Sequence, residues 1–210
     1  MDKHVSYTAS ALTGIILAGG KNIRMGENKA FIRVKGRRII DRTVELFHDI
    51  FEQVILVTNE PLTYSHLNLE IVVDLIPANS ALIGIYTGLF YAATTYCFVV
   101  ACDMPFLNRK VIDYMVSIRK NYDIVIPVLD DGYHPTHALY SRRCITPIKK
   151  LIQTGNFKIT DFFNRVTVRE VTEKELRSLD PSMEAVLNIN TPEDLERVHH
   201  REIVRSRNHP

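Results

Sequence analysis

Apolar and polar runs alternate along this chain in a way that predicts strands and helices in turn. "TGIILA" (13–18) is a short apolar run that ends at glycine, the pattern of a strand buried on both faces. "QVILVT" (53–58) and "EIVVD" (70–74), rich in β-branched residues, predict two more strands. Between them, "DRTVELFHDIF" (41–51) sets Val44, Phe47 and Phe51 at helical spacing, with Asp41 placed as its N-cap. Further on, "IYTGLFYAAT" (85–94) has helical spacing weakened by the internal Gly88. "YCFVVACD" (96–103) reads as the clearest buried strand, stopped by Pro105.

Asn108 can cap the helix "RKVIDYMVSIRK", whose Val111, Met115 and Ile118 share a face. "YDIVIPV" (122–128) predicts a strand, "HALYSRRCITPIKKLIQ" a strand and then a helix, and "FNRVTVREVT" one more strand. In "NTPEDLERVHH" a last helix begins, with Thr191 at the cap, Pro192 at the first position and acidic Glu193 and Asp194 in the first turn. This alternation predicts an α/β domain with a mostly parallel sheet. Residues 1–13 read as a loosely held leader, 14–198 as the domain and 199–210 as a basic tail. Ligands of such sheets bind beyond the carboxyl ends of the strands, so function is sought in the residues that follow each one.

Composition narrows the field. A formal net charge of +2 on 210 residues argues against nucleic acid or an anionic membrane as a general partner. No run approaches membrane-spanning length, and the leader "MDKHVSYTASALTG" has no signal-type apolar stretch, so a soluble, cytoplasmic protein is expected. Cys97, Cys102 and Cys144 are odd in number and show no C-x-x-C spacing, which speaks against a disulfide framework and a zinc site.

Four strand ends offer chemistry. After the first, Gly19 and Gly20 allow backbone N–H groups to approach an anion, with Lys21, Arg24 and Lys29 close behind. Arg24 could grip phosphate oxygens bidentately and Lys29 would add a point charge. The dinucleotide fingerprint G-x-G-x-x-G is excluded because the glycines are adjacent. The Walker A loop is excluded too: Gly20 and Gly26 are one residue too far apart, and Glu27 follows where lysine belongs. At the second end, Asp74 is either a turn cap or a ligand group, and the small Ala78, Ser80, Ala81 and Gly84 leave space for a flat base or sugar. At the third, Asp103 suits a hard cation such as Mg²⁺ or, equally, starts the next turn. At the fourth, Asn188 and Asn190 alternate, so their amides face one side of an extended segment and suit a hydrogen-bond-rich heterocycle.

Taken in order, "LAGGKNIRMGENKAF", Asp74, "VACDMPFL", "HPTHALY" and "LNINTPEDL" resemble the molybdenum cofactor guanylyltransferases, the MobA family. The resemblance covers Gly14 to about Val198. It implies a single-domain, Rossmann-like, three-layer nucleotidyltransferase fold with a mostly parallel sheet. It also implies a reaction that transfers GMP from MgGTP to the terminal phosphate of molybdopterin, releasing pyrophosphate. By that resemblance Leu17, Ala18 and Gly19 meet guanine and phosphate, with Gly20 beside them in the nucleotide site. Lys29 meets the phosphates, Asp74 the nucleoside, and Asp103 binds Mg²⁺ and GTP. Asn188 and Asn190 match asparagines that face the pterin, and Arg24 a basic position of the signature loop. Asp103, Arg24 and Lys29 are thus the expected catalytic set, with GTP and molybdopterin as substrates and molybdenum-insertion and acceptor molybdoenzyme proteins as candidate partners.

Three positions depart from the family pattern. Asn28 stands where Asp normally precedes the lysine, "ANSALIG" (78–84) replaces a Gly-x-Gly-Pro-Leu-type run, and Val57 takes the place of a nucleotide-contacting Asn found in some relatives. These departures keep two rivals open: a related nucleotidyltransferase using CTP or another acceptor, and a non-catalytic nucleotide-binding homologue. His134 and His137 have no evident nucleophile beside them and read as structural or as substrate contacts, the structural reading ahead.

Overall fold

A computed structural model describes residues 12–19, 28–189, 191, 193, 194 and 196. Its strands are β1 (Leu12–Leu17), β2 (Arg33–Val34), β3 (Arg37–Arg38), β4 (Gln53–Val57), β5 (Glu70–Val72) and β6 (Tyr96–Ala101). Four more follow: β7 (Ile124–Leu129), β8 (Gly132–Tyr133), β9 (His137–Ser141) and β10 (Val168–Thr172). The helices are α1 (Ile39–Ile50), α2 (Pro61–Tyr64), α3 (Ala81–Tyr91), α4 (Arg109–Ser117), α5 (Ile145–Gln153) and α6 (Glu173–Leu179).

The main sheet runs β10-β7-β9-β6-β1-β4-β5, with β8 paired to β7. Its long strands are parallel apart from β9, which lies antiparallel between β6 and β7. The period-two alternation of each central strand sorts its side chains to two faces. Ile16, Leu56, Phe98 and Val100 pack with Phe47, Val111, Met115 and Leu176 of α1, α4 and α6. Ile15, Ile55, Val57 and Val99 pack with Leu82, Ile85, Ile148 and Leu151 of α3 and α5. Two helical layers therefore enclose the sheet, as the expected three-layer α/β fold requires.

Several predicted boundaries shift for identifiable reasons. α1 starts two residues earlier than expected, with Arg38 rather than Asp41 at the cap position. Asp41 instead accepts two hydrogen bonds from the Arg38 guanidinium, at 2.7 and 2.9 Å. α3 begins at Ala81, because the Ser80 hydroxyl accepts the Leu82 N–H at 3.2 Å. Most of "ANSALIG" is thus the cap and first turn of a helix. Gly88 is tolerated inside α3 because the helix crosses β1 there, where a Cβ would meet Ile15 at 2.7 Å.

Asn108 caps α4 as predicted, accepting from Lys110 N–H at 2.9 Å. Thr191 caps the final helical residues: its hydroxyl accepts the Asp194 N–H at 3.2 Å. Only the second half of "FNRVTVREVT" is strand; the first half closes a 3-10 segment, Ile159–Arg165. The β2–β3 hairpin, α2, β8 and α6 have no counterpart among the predicted elements. The hairpin turns through Lys35 and Gly36, both at positive φ, the backbone a two-residue hairpin favours. α6 is set by a reciprocal cap between Thr172 and Glu175.

Candidate active site

Chain order explains where the site falls. From β1 the chain moves outward to β4 and β5, then returns to the other side of β1 as β6. The strand ends at that reversal border a cleft of about 180 Å³. Leu17 and Gly19 reach it from β1, Val57 from β4, Asp74 from beyond β5, and Ala101, Cys102 and Asp103 from β6. Asn79, Ser80, Ala81 and Gly84 form the side beneath α3, and Thr136 and Asn188 complete the lining. The expected Leu17, Gly19, Asp74, Asp103 and Asn188 are therefore brought together, though they span most of the domain.

Backbone hydrogen bonds hold these ends in register. Ala18 N–H donates to Val57 O at 2.8 Å, and Cys102 N–H to Leu17 O at 3.0 Å. Ala18 itself does not line the cleft: it is buried, and its carbonyl accepts the Thr58 hydroxyl at 3.1 Å. Gly19 is open on the cleft side, where an added Cβ would have, among the described residues, only Asp74 Oδ2, at 4.0 Å, within reach. Gly20, Arg24 and Asn190 lie outside the described residues.

Asp103 sits two residues past β6, its side chain 13 % exposed. Lys29, 7 % exposed, brings Nζ to 3.5 Å from Asp103 Oδ2. Burial raises the Asp103 carboxyl above its ordinary range, and the Lys29 ammonium opposes that shift. Its second oxygen, Oδ1, is buried with no hydrogen-bond partner among the described residues. A buried carboxylate oxygen without a donor is costly, so this position is suited to a cation.

Asp74 shows the same half-satisfied state. The Asn59 amide donates to Oδ2 at 2.8 Å, while Oδ1 is buried without a partner among the described residues. Burial raises the Asp74 pKa, and the hydrogen bond from Asn59 works the other way. Asn188 is carried in by its neighbour, since Ile189 N–H donates to the carbonyl oxygen of Asp103 at 2.9 Å. Farther back, Asp180 accepts the Ala185 N–H at 2.8 Å and so fixes the segment that leads to it.

Among the described residues, no three His, Cys, Asp or Glu side chains cluster as a ready-made metal cage. Cys97, Cys102 and Cys144 are buried, and no disulfide joins them. Neither histidine lines the cleft: His137 is fully buried against Phe98, and His134 pairs with Asp131 at 3.0 Å. The sequence reading missed Asn59 and Thr136 at the site. Thr136 lies inside the quoted "HPTH" string, a usable signal, whereas nothing local marks Asn59 as the partner of Asp74.

Comparison with known proteins agrees with this geometry. Residues 14–171 match the family model of the MobA-like NTP transferase domain. A molybdenum cofactor guanylyltransferase from Desulfosudis oleivorans is 40 % identical over 189 residues, covering 89 % of this chain and 94 % of its own. A probable molybdenum cofactor guanylyltransferase from Natranaerobius thermophilus is 38 % identical, with 88 % and 93 % covered. Among solved structures, the molybdopterin-guanine dinucleotide biosynthesis protein A of Archaeoglobus fulgidus superposes with a TM-score of 0.77 at 26 % identity, covering 89 % of this chain and 96 % of that one. The fold extends to a 4-diphosphocytidyl-2C-methyl-D-erythritol synthase from Anaerococcus prevotii, TM-score 0.68 at 17 % identity, covering 92 % and 96 %. The chain belongs to the MobA-like NTP transferase family and is a nucleotidyltransferase.

Proposed function

We propose that this enzyme transfers GMP from MgGTP to the terminal phosphate of molybdopterin, forming the guanine dinucleotide cofactor and pyrophosphate. The observation that carries the reading is the convergence of Gly19, Asp74, Asp103 and Asn188 on one cleft, with Lys29 held against Asp103. An acceptor phosphate oxygen attacks the α-phosphorus, and the bond to the β-phosphate breaks with its electron pair leaving on pyrophosphate. The attacking phosphate is already ionised near neutral pH, so no side chain has to remove a proton. Catalysis then rests on positioning and charge neutralisation.

The residues divide that work. Gly19 lets the nucleotide approach the backbone, and the small side of the cleft at Ser80, Ala81 and Gly84 accommodates a flat base. Asp74 accepts from the nucleoside, Lys29 neutralises phosphate oxygens, and Asn188 faces the acceptor together with Asn190. Leu17, Ala18 and Gly20 complete the nucleotide-binding turn, and Arg24 adds charge in the same loop.

Asp103 fits Mg²⁺ on its own chemistry: a hard oxygen donor with an orphaned, buried Oδ1. When bound, Mg²⁺ would neutralise triphosphate charge, with phosphate oxygens and water completing its coordination. No described helix is long and apolar enough to cross a membrane. We place the enzyme in the cytoplasm, with molybdenum-insertion and acceptor molybdoenzyme proteins before and after it.

Thermal stabilisation by GTP, CTP and ATP with Mg²⁺, followed by pyrophosphate release with molybdopterin, tests this reading. GTP should stabilise the protein most and support release, and Asp103→Ala should lose most turnover while keeping part of the binding. Stabilisation by CTP alone would move the protein to a cytidylyl activity. Binding of GTP without pyrophosphate release would make it a non-catalytic homologue.

A further inference from the structure

Asn28 precedes Lys29 at a position where the related signature loop has Asp. Its side chain is engaged on both ends. Oδ1 accepts the Ala30 N–H at 3.1 Å, capping the short 3-10 turn Lys29–Phe31. Across 36 positions of sequence, Nδ2 donates to the Tyr64 hydroxyl at 3.0 Å, and that hydroxyl lies within donating distance of Oδ1, at 3.3 Å. Tyr64 is fully buried, so its hydroxyl has no solvent to turn to.

The rest of the turn is pinned as well. Phe31 stacks on the Tyr64 ring with centroids 5.4 Å apart, and the Arg38 guanidinium lies over the Phe31 ring at 5.3 Å. Ala30 is fully buried, and Phe31 N–H donates to Asn28 O at 2.9 Å. From this fixed turn the Lys29 side chain runs to Asp103. A lysine has four rotatable bonds, so the direction in which its backbone launches it decides where the ammonium spends its time.

We propose that Asn28 is a positioning residue: anchored on Tyr64, it sets the turn that aims Lys29 at Asp103. The amide is not a defective copy of a carboxylate here. Aspartate could only accept, from the Ala30 N–H and from the Tyr64 hydroxyl, whereas asparagine keeps both acceptor contacts at Oδ1 and adds a donor, Nδ2, to the Tyr64 oxygen. The link to turnover rests on the function proposed above; the placement of Lys29 does not.

The experiment reads the two separately, on the full chain. Acylation of the Lys29 amine, followed site by site by mass spectrometry, reports how firmly it is held. Asn28→Ala should speed Lys29 labelling by about tenfold, the scale of one lost net hydrogen bond, while Asn28→Asp stays within about twofold of the parent. Tyr64→Phe should fall between them. If Asn28→Ala does not fold, Asn28→Ser, which keeps a capping oxygen but is too short for Tyr64, takes its place. Unchanged labelling in the Ala or Ser variant, or Asn28→Asp as labile as Asn28→Ala, overturns the proposal.

Kinetics then give the second readout. Asn28→Ala should lower kcat/KM for GTP about tenfold, with rescue by Asn28→Asp, and should cost nothing further in a Lys29→Ala background. Multiplying losses in the double variant would also overturn the proposal. A parent enzyme that turns over no GTP defeats the functional reading, and the labelling result still decides the role of Asn28.

Discussion

Lys29 and Asp103, 74 positions apart in sequence, meet at 3.5 Å at the edge of the sheet with both side chains largely withdrawn from water. Asp103 is already pushed toward its neutral form by burial, with Lys29 opposing that shift. Replacing Lys29 with Met removes the opposing charge and leaves the carboxylate to bear its desolvation. Breaking one side of a buried pair costs about 3–5 kcal/mol when the remaining charge is retained. Protonation of Asp103 relieves that cost. The stability lost in Lys29→Met should therefore be largest at neutral pH and shrink as the pH falls toward the ordinary carboxylate range, as read from denaturant midpoints. A penalty that stays constant across that range would show that Asp103 is not its source.

His137 supplies a second pH dependence, from a ring that does not itself line the cleft. Its ring is fully buried, neither nitrogen has a hydrogen-bond partner, and desolvation lowers its pKa to about 4. In the unfolded chain it titrates near 6.5. Below that value the unfolded state binds a proton that the folded state refuses, so stability falls as pH drops from about 6.5 to 4. The full shift corresponds to about 3 kcal/mol. His137→Phe, set edge-on against Phe98, should flatten this part of the profile in acid unfolding curves. An unaltered curve would count against His137 as the titrating group.

Gly88 tests the packing of α3 on β1. In an exposed helix, alanine would gain about 1 kcal/mol over glycine. Here the added Cβ would meet Ile15 Cδ1 and Cγ2, both at 2.7 Å. Gly88→Ala should therefore destabilise the fold by about 1–3 kcal/mol, the range for overpacking a core. In an Ile15→Ala background, itself destabilised by the cavity it opens, Gly88→Ala should cost less than in the parent, because the obstructing atoms are gone. If Gly88→Ala raises Tm instead, helix propensity outweighs the clash and the close approach is not limiting.

Glu175 anchors the start of α6 and ties it to its neighbours. It accepts from Thr172 N–H at 2.9 Å and from the Tyr114 hydroxyl at 2.6 Å, and it pairs with Arg169. Burial pushes its carboxyl up, but hydrogen bonds from Arg169, Tyr114 and Thr172 outweigh that and hold it at about 2. Its contribution is present above the ordinary carboxylate range and is lost as pH falls from about 4.5 toward 2. Glu175→Gln should lower stability by about 1 kcal/mol near neutral pH, the scale of a lost cap, and the two proteins should converge in acid. Thermal unfolding at several pH values measures it.

Three of the four candidate ends are legible because burial on both faces writes continuous apolar runs, and "GIILAGG" and "VVACDMPF" end abruptly in glycine or acid. The rule that ligands gather where strands finish singles out Asp74 and Asp103, which the structure brings to one cleft, whereas Asn188 reaches that cleft after a 3-10 turn, Glu184–Val186, and not after a strand. Asn59 escaped that reading because its role is a hydrogen bond to a side chain on the neighbouring strand end. The cap of α6 was present in sequence as Thr172-x-x-Glu175 but fell directly after a strand-like run. Gly88 was read as a weakness in a helix, since local propensity contains no information about Ile15 behind it.

Local sequence alone determined the long strands and most of the long helices, and which chemical groups stand at the ends of those strands, but not the short β2, β3, β8, α2 and α6. Periodicity, caps and turn residues act over a few positions, so these features survive without knowledge of the partners. The tertiary structure decided that β9 enters antiparallel between β6 and β7, that β1 lies between β4 and β6, and that Lys29 faces Asp103. It also decided that Asn28, a departure in the sequence pattern, has Tyr64 as its partner. These relationships join residues 36 and 74 positions apart. They depend on how whole strands and helices bury one another's faces, which no short window of sequence contains.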